Sequence, residues 1–315
     1  MPTDFVPHPL LANGHLQTLA GLTAPDRPEQ ALRRLVTLPD GDRLVLHDDQ
    51  PSGWQPDGRV ALLVHGLCGS HRSGYLRRIA ARLNTAGVRT FRIDLRGCGA
   101  GVGLARQPYH SGRSEDLATA LTAIAAWCPT SAVTLVAFSL GANIALKLVG
   151  ECGDRPPGRL ARAIAVCPPV DLAACVVALR RYPARFYDRF FSATLVNQVR
   201  ASPTLGEAAA RIFAHHAPTR LCDFDDAFTA PLSGFGDAAT YYRRCSAAPL
   251  LPDIRVPTVI LATQDDPIVP WAPLTQATLS ASTTLHLMTH GGHLGFIAGG
   301  RRKWMDERIV EWATE

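Results

Sequence analysis

The stretch Val133-Thr134-Leu135-Val136-Ala137-Phe138-Ser139-Leu140-Gly141-Ala142-Asn143 decides the fold of this 315-residue chain. Its first six residues are apolar or β-branched and read as a buried strand. From Leu140 to Leu148 the pattern turns helical, stopping near Gly150. Ser139 is left on the sharp turn between the two, which is where a nucleophilic serine is held out above a sheet. Neighbouring backbone crowds such a turn, so small residues are required two before and two after the serine. Here they are Ala137 and Gly141, with alanine at a position usually glycine. A plain capping serine at a helix start would use the same residue type.

Outward from this unit, strands and helices alternate. Val60–Val64 is a short buried strand ending in His65-Gly66. Tyr75–Ala86 reads as a helix closed by Gly87, and Val88–Asp94 as a strand. Glu115–Trp127 is helical and stops before Pro129. Ala163–Cys167, Thr258–Ala262 and Leu285–Met288 are further strands, and Arg302–Trp312 is the last helix. Leu35–Leu38 and Leu44–Leu46 flank Pro39-Asp40-Gly41-Asp42, a hairpin signal at one edge. Together these predict an α/β protein with a mostly parallel eight-stranded sheet and helices on both faces. Between about Val170 and Pro252 strands vanish, while aromatic, Arg-rich helical patterns such as Ala184–Val199 and Glu207–His216 appear. That is too long for an ordinary loop. It predicts a helical cap over 170–252, inserted into a core of 1–169 and 253–315.

Three further turns carry chemistry. His65-Gly66-Leu67-Cys68-Gly69-Ser70 follows a strand and is placed to offer a backbone N–H to an oxyanion. The residue after the nucleophile offers the second, so the Leu67 and Leu140 amides are expected to form the hole. Asp265-Asp266-Pro267 follows another strand. Either carboxylate could orient a catalytic imidazole; Asp266, directly before Pro-Ile-Val-Pro, is favoured over Asp265 as the acid member. A solvated Asx turn is the bland reading of both. His290-Gly291-Gly292-His293 follows the last strand, with His293 the expected base and His290 a brace for the loop. Ser139, Asp266 and His293 thus fall in the order serine, acid, histidine at the ends of three predicted strands. Arg96, after the Val88–Asp94 strand, is expected to pair structurally with a carboxylate. Cys68 is expected to line the pocket beside the oxyanion hole, where its modification would block activity.

Composition excludes several other classes. Hydrophobic residues make up 47% and charged residues 19%, a globular balance that argues against disorder. At this size a chain buries roughly 75% of its unfolded surface, enough for a sizeable core. The net charge is +5, and every basic residue except Lys147 and Lys303 is Arg. These arginines are scattered along the chain, so they read as solvated surface and predict no nucleic-acid partner. None of the eight cysteines forms C-x-x-C, and the 11 histidines give no HExxH. No metal site and no cofactor is therefore expected. Met1–Leu22 lacks the basic start and apolar run of a signal peptide, and no run approaches a membrane span of roughly 18 residues. A reducing cytoplasm with free thiols is the expected compartment.

The motifs converge on one family. Asn13-Gly14-His15-Leu16-Gln17-Thr18-Leu19, His65-Gly66-Leu67-Cys68-Gly69-Ser70, Arg96-Gly97-Cys98-Gly99 and Tyr109-His110-Ser111-Gly112 belong to the match. So do Phe138-Ser139-Leu140-Gly141-Ala142-Asn143, Phe224-Asp225-Asp226, Tyr241-Tyr242-Arg243-Arg244-Cys245-Ser246, Asp265-Asp266-Pro267 and His290-Gly291-Gly292-His293-Leu294-Gly295-Phe296. Across almost its whole length the chain resembles the α/β-hydrolase superfamily, specifically the AB hydrolase 4 (YheT-like) group. Ala137 and Ala142 depart from glycines common in the elbow of that family but remove no reactive group. The resemblance implies Ser139 as nucleophile, His293 as base and Asp266 as acid. Eukaryotic relatives carry a membrane anchor ahead of the HLQTL stretch; this chain starts just before it, so none is implied.

The resulting expectation is a serine hydrolase acting on a small-molecule carboxylic ester with an apolar acyl group. Acyl transfer to an alcohol, or lipase or phospholipase activity with the same triad, is the alternative. No His is followed five residues later by Asp, the spacing that would have supported acyl transfer. A non-catalytic binder on the same scaffold is the third reading. Phe186, Tyr187, Phe190, Phe191 and Phe213 are available either to line an acyl pocket or to form the core of the cap.

Overall fold

The computed structural model describes residues 5–23 and 31–315. Residues 1–4 of the N-terminal stretch weighed above as a leader lie outside the described residues. The strands are β1 Leu32–Thr37, β2 Arg43–Asp49, β3 Val60–Val64, β4 Arg89–Asp94, β5 Val133–Phe138, β6 Leu160–Val166, β7 Thr258–Thr263 and β8 Thr283–Met288. They form one eight-stranded sheet in the order β1-β2-β4-β3-β5-β6-β7-β8. β1, β2 and β4 pair antiparallel; all other pairings are parallel. The Asp40-Gly41 hairpin therefore closes the antiparallel edge, with Gly41 at φ +84°.

The helices are α1 Gly14–Gly21, α2 Gly74–Thr85, α3 Ser114–Trp127, α4 Leu140–Cys152, α5 Leu172–Leu179, α6 Arg185–Arg200, α7 Gly206–Ile212, α8 Leu221–Phe224, α9 Ala230–Leu232, α10 Ala238–Cys245, α11 Ala272–Gln276 and α12 Trp304–Thr314. Central strands are buried on both faces, which is why VALLV and VTLVAF are unbroken apolar runs rather than alternating ones. One core layer holds Leu62, Val64, Leu135 and Ala137 against α3 and α4. The other holds Leu63, Val136 and Phe138 against Leu76, Ile79 and Leu83 of α2 and Met305 and Ile309 of α12. α2 shows how sequence makes this packing: its apolar residues recur every three or four positions, so one stripe is buried, and Arg78 beside it pairs with Asp306 of α12 at 2.9 Å.

Helices α5 to α10 all fall between β6 and β7. They carry their own apolar cluster of Leu195, Val196, Val199, Phe213, Phe224 and Phe228, against which Leu67, Cys68 and Tyr109 of the sheet layer pack. A second cluster joins Cys175 and Leu179 to Ile268 and Val269, just beyond Asp266. Among the described residues no helix is long and apolar enough to cross a membrane.

Candidate active site

Four turns meet at the carboxyl ends of β3, β5, β7 and β8, where ligands of open α/β sheets bind. On the β5 turn Ser139 is held at φ +52°, a left-handed conformation that a non-glycine residue adopts only under tight surroundings. Close approach on both sides enforces it. A Cβ at Gly66 would press on Ser139, and one at Gly141 would press into the His65 carbonyl. Ala137 is fully buried, so its methyl fits where glycine is usual. α4 begins at Leu140, so its partly positive N-terminus lies under the serine.

The Ser139 Oγ lies 2.9 Å from Nε2 of His293, and Nδ1 of His293 lies 2.8 Å from Oδ2 of Asp266. Oδ1 of Asp266 accepts the N–H groups of Ile268 and Val269 at 2.8 and 2.9 Å. Asp266 is thus both an Asx turn and the partner of the imidazole, one role for each oxygen. Asp265 points elsewhere. It accepts the Gly292 N–H at 2.8 Å and sits 3.4 Å from the half-exposed His290. His290 thus contacts the loop's neighbour and not the serine.

Leu67 and Leu140 line the same cavity as Ser139. Among the described residues neither N–H donates to a protein acceptor, whereas the adjacent Gly66 N–H is taken by the Tyr75 hydroxyl at 3.0 Å. The turn is pinned from below by His65. One ring nitrogen meets the Gly66 carbonyl at 2.7 Å, and the other accepts the Leu95 N–H at 3.3 Å. Complete burial pushes this imidazole down, so it stays neutral and keeps both contacts. Arg96 is structural, as its flanking sequence suggested. Its guanidinium spans Asp116, Asp40 and Asp42 at 2.6 to 2.8 Å, tying α3 to the hairpin.

Several supporting residues had no clear signal in the sequence. The His293 loop carries positive φ at Gly291, Gly292, Leu294 and Phe296. α1 braces it: the His293 N–H donates to Thr18 Oγ1 at 2.8 Å, and Gln17 exchanges hydrogen bonds with both the N–H and the carbonyl of Ile297. The HLQTL stretch therefore works through the loop that presents the imidazole. Asn143 joins the Ser111 carbonyl to Cys245 and Ala247, stitching the elbow helix to the end of α10. Cys167 lies beside Asp266; burial and the neighbouring carboxylates hold its thiol well above the ordinary range. Cys68 departs from expectation. It packs against the helical insertion and does not line the cavity, and burial pushes its thiol up to about 12. Cys175 is the cysteine in the cavity wall.

The cavity above Ser139 is mostly apolar, walled by Leu172, Val176, Leu179, Phe191, Leu195 and Val199. Of the five aromatics considered from sequence, only Phe191 faces it. Phe213 is core of the insertion, Tyr187 turns to His15, and Phe186 and Phe190 are exposed. A polar patch completes the wall. Asp225 begins a single π-turn, Asp225–Thr229, and accepts the Tyr242 hydroxyl at 2.9 Å. Burial pushes its carboxyl up to about 7. His110 also lines the cavity, but burial pushes it down to about 2. It is therefore neutral, its Nδ1 taken by the Gly112 N–H.

Two clusters gather metal-ligating atoms within 4.8 Å: His47, His71 and Asp94, and Cys167, Asp266 and His293. In the first, the two imidazoles stack at 3.5 Å and 11°, and both hydrogen-bond one Asp94 oxygen. Parallel rings this close cannot both aim an in-plane lone pair at one ion, so the cluster does not fit a metal. The second contains the imidazole and carboxylate already engaged with Ser139.

Comparison with known proteins agrees with this architecture. The model of the alpha/beta hydrolase fold family matches residues 60–299. YheT of Escherichia coli (strain K12), a candidate esterase, is 30% identical over 99% of this chain and 93% of its own length. Monoacylglycerol lipase of Saccharomyces cerevisiae is 27% identical over 87% of this chain; the match spans 61% of that longer protein. Among solved structures, an esterase of Pyrococcus furiosus superposes with a TM-score of 0.62. It covers 93% of this chain and 97% of its own at 14% identity, a likeness of fold alone.

Proposed function

As the chain belongs to the alpha/beta hydrolase fold family, in its YheT-like branch, we propose that it is a serine esterase acting through Ser139, His293 and Asp266. The observation that carries this reading is the continuous relay from Ser139 Oγ through both nitrogens of His293 to Asp266 Oδ2, at 2.9 and 2.8 Å. Ser139 Oγ attacks the ester carbonyl while its proton passes to His293 Nε2. The oxyanion formed is held by the Leu67 and Leu140 N–H groups, each worth a few kcal/mol in the transition state. Asp266 keeps the imidazole in the required tautomer and stabilises its charged form. His293 then gives the proton to the leaving alkoxide, and the acyl group remains on Ser139. Water, deprotonated by His293, attacks that ester, releases the acid and restores the serine. No cofactor enters these steps.

In this reading residues 170–252 act as a cap on a core of 1–169 and 253–315. The apolar wall contributed by α5 and α6 supports an ester with an apolar acyl group, and the monoacylglycerol lipase relative favours a lipid-derived one. Eight free cysteines support a reducing compartment, the cytoplasm. The test is hydrolysis of p-nitrophenyl esters together with labelling by a fluorophosphonate probe. Wild type should be active and labelled, and Ser139→Ala neither. Equal rates for the two proteins would sink the assignment. Failure of the probe to label the wild type would revive a non-catalytic binder.

A further inference from the structure

The turn before α6 and the outward face of that helix expose large aromatic and basic side chains. Tyr182, Phe186 and Phe190 are 74%, 58% and 61% exposed and recur every fourth residue. Arg181, Arg185 and Arg189 keep the same spacing one residue earlier, and all three are exposed. Within α6, at 100° per residue, Arg185 and Arg189 form a cationic stripe beside the Phe186 and Phe190 stripe, and Arg181 and Tyr182 sit on the turn just before the helix. The Arg185 guanidinium sits over the Tyr182 and Phe186 rings at 5.3 and 5.6 Å. A single surface recess is lined by Arg180, Arg185, Arg189 and Arg220, with Thr219 and Asp188. Arginines scattered in the sequence therefore converge in space.

Little opposes their charge locally. Asp188 is buried and accepts the Leu221 N–H at 2.7 Å, and Asp223 lies 3.9 Å from Arg220. Among the described residues no carboxylate forms an ion pair with Arg180, Arg181, Arg185 or Arg189. Three large exposed aromatics in a row would cost solubility unless something covers them. An aromatic stripe bordered by guanidiniums matches an interface that is apolar inside and anionic at its edge. The opposite side of the same helix contributes Phe191, Leu195 and Val199 to the cavity over Ser139. α1 meets α6 through His15 and Tyr187 at 3.0 Å and adds exposed Leu16 and Leu19.

We propose that this face of α6 docks on an anionic lipid surface. Lipid phosphates are taken between Arg180, Arg185, Arg189 and Arg220, and Tyr182, Phe186 and Phe190 enter the acyl boundary. A second copy of the chain fits worse, because a two-fold contact would set one arginine stripe against the other. A nucleic-acid strand fits worse too, since the arginines ring one recess and do not track an extended backbone. The docking stands apart from the esterase reading, because it rests on surface residues that do not line the cavity.

The test is co-sedimentation with vesicles of phosphatidylcholine alone or with about 30 mol % phosphatidylglycerol. Wild type and Ser139→Ala should both partition roughly tenfold more onto the anionic vesicles, less so as salt rises. The doubles Phe186→Ser/Phe190→Ser and Arg185→Gln/Arg189→Gln should each lose about tenfold of that binding. Both should keep the wild-type thermal midpoint and hydrolysis of a soluble short-chain ester, which establishes that they fold. Equal wild-type binding to neutral and anionic vesicles, or wild-type binding by either double, would overturn the proposal. So would inorganic phosphate binding at the recess with no vesicle binding, which identifies a soluble anion site. A lipid-free dimer abolished by the aromatic double, without vesicle binding, would identify a self-association face instead.

Discussion

The carboxyl edge of the sheet and the helical insertion above it are built by opposite means. At the sheet edge each reactive group sits on a short turn directly after a strand, and backbone strain is held by specific hydrogen bonds. Ser139 has φ +52°, the His293 loop has four positive φ values, and Thr18, Asp265 and Asp266 supply the acceptors that hold that face. In the insertion the backbone is mostly helix with one π-turn at Asp225–Thr229, and shape comes from packing of Phe213, Phe224 and Phe228 at centroid distances of 5.4 to 5.9 Å. Under the proposed function the difference is a division of labour: the edge would set the rate, and the insertion would set what the cavity admits.

The largest effect that could break this division concerns the two neighbouring carboxylates. Asp266→Asn should lower kcat by about 10³ to 10⁴, because the imidazole loses its tautomer and its counter-charge. Asp265→Asn should cost under about tenfold, since only the Gly292 N–H contact changes. Comparable losses in the two variants would refute the assignment of roles.

Next comes a stability effect confined to the insertion. The Asp225 carboxyl is raised to about 7 by burial. A raised carboxyl leaves stability intact below its unfolded value near 4, and stability falls as pH rises from there towards 7. Asp225→Asn should therefore match wild type at pH 4.5 and exceed it at pH 8 by about 3 kcal/mol. Denaturant melts at the two pH values check this, and a pH-independent difference counts against it.

A smaller effect sharpens the role of α1. Thr18→Val removes the acceptor of the His293 N–H and should lower kcat roughly tenfold to a hundredfold with little change in KM. Thr18→Ser, which restores the hydroxyl, should recover most of it. Loss in both variants would mean that α1 serves packing alone.

On the insertion side, Leu195→Trp should narrow the cavity. The ratio of kcat/KM for a twelve-carbon to a four-carbon p-nitrophenyl ester should fall by about tenfold. An unchanged ratio would remove the insertion from chain-length selection. The smallest expected effect is that of thiol reagents. With the Cys68 thiol pushed up to about 12 and outside the cavity wall, iodoacetamide at pH 7.5 should change activity by less than about twofold.

The legibility of the two regions follows from the same physics. Strand, turn and helix around Ser139 are local in sequence, so a period change from 2 to 3.6 and two small residues expose them. The strand ends before Asp266 and His293 could be found in the same way. Pattern favoured Asp266 over Asp265 by its place directly before Pro267, but side-chain direction, which pattern does not carry, is what separates them. Thr18 bonds His293 across 275 positions, and Asn143 bonds Cys245 across 102. Such contacts leave no spacing to read. In the insertion, Phe186, Phe190 and Phe191 look alike as residues, yet one faces the cavity and two face solvent.

By itself the sequence determined the order of elements, the parallel sheet and the turns that carry Ser139, Asp266 and His293. Each of those depends on periodicity and turn chemistry over fewer than about twenty residues. Only the tertiary structure decided which aspartate meets the imidazole, which aromatic lines the cavity, what braces the histidine loop and where the arginines gather. Those depend on directions and distances between segments far apart in the chain, and packing sets them only once the whole sheet has closed.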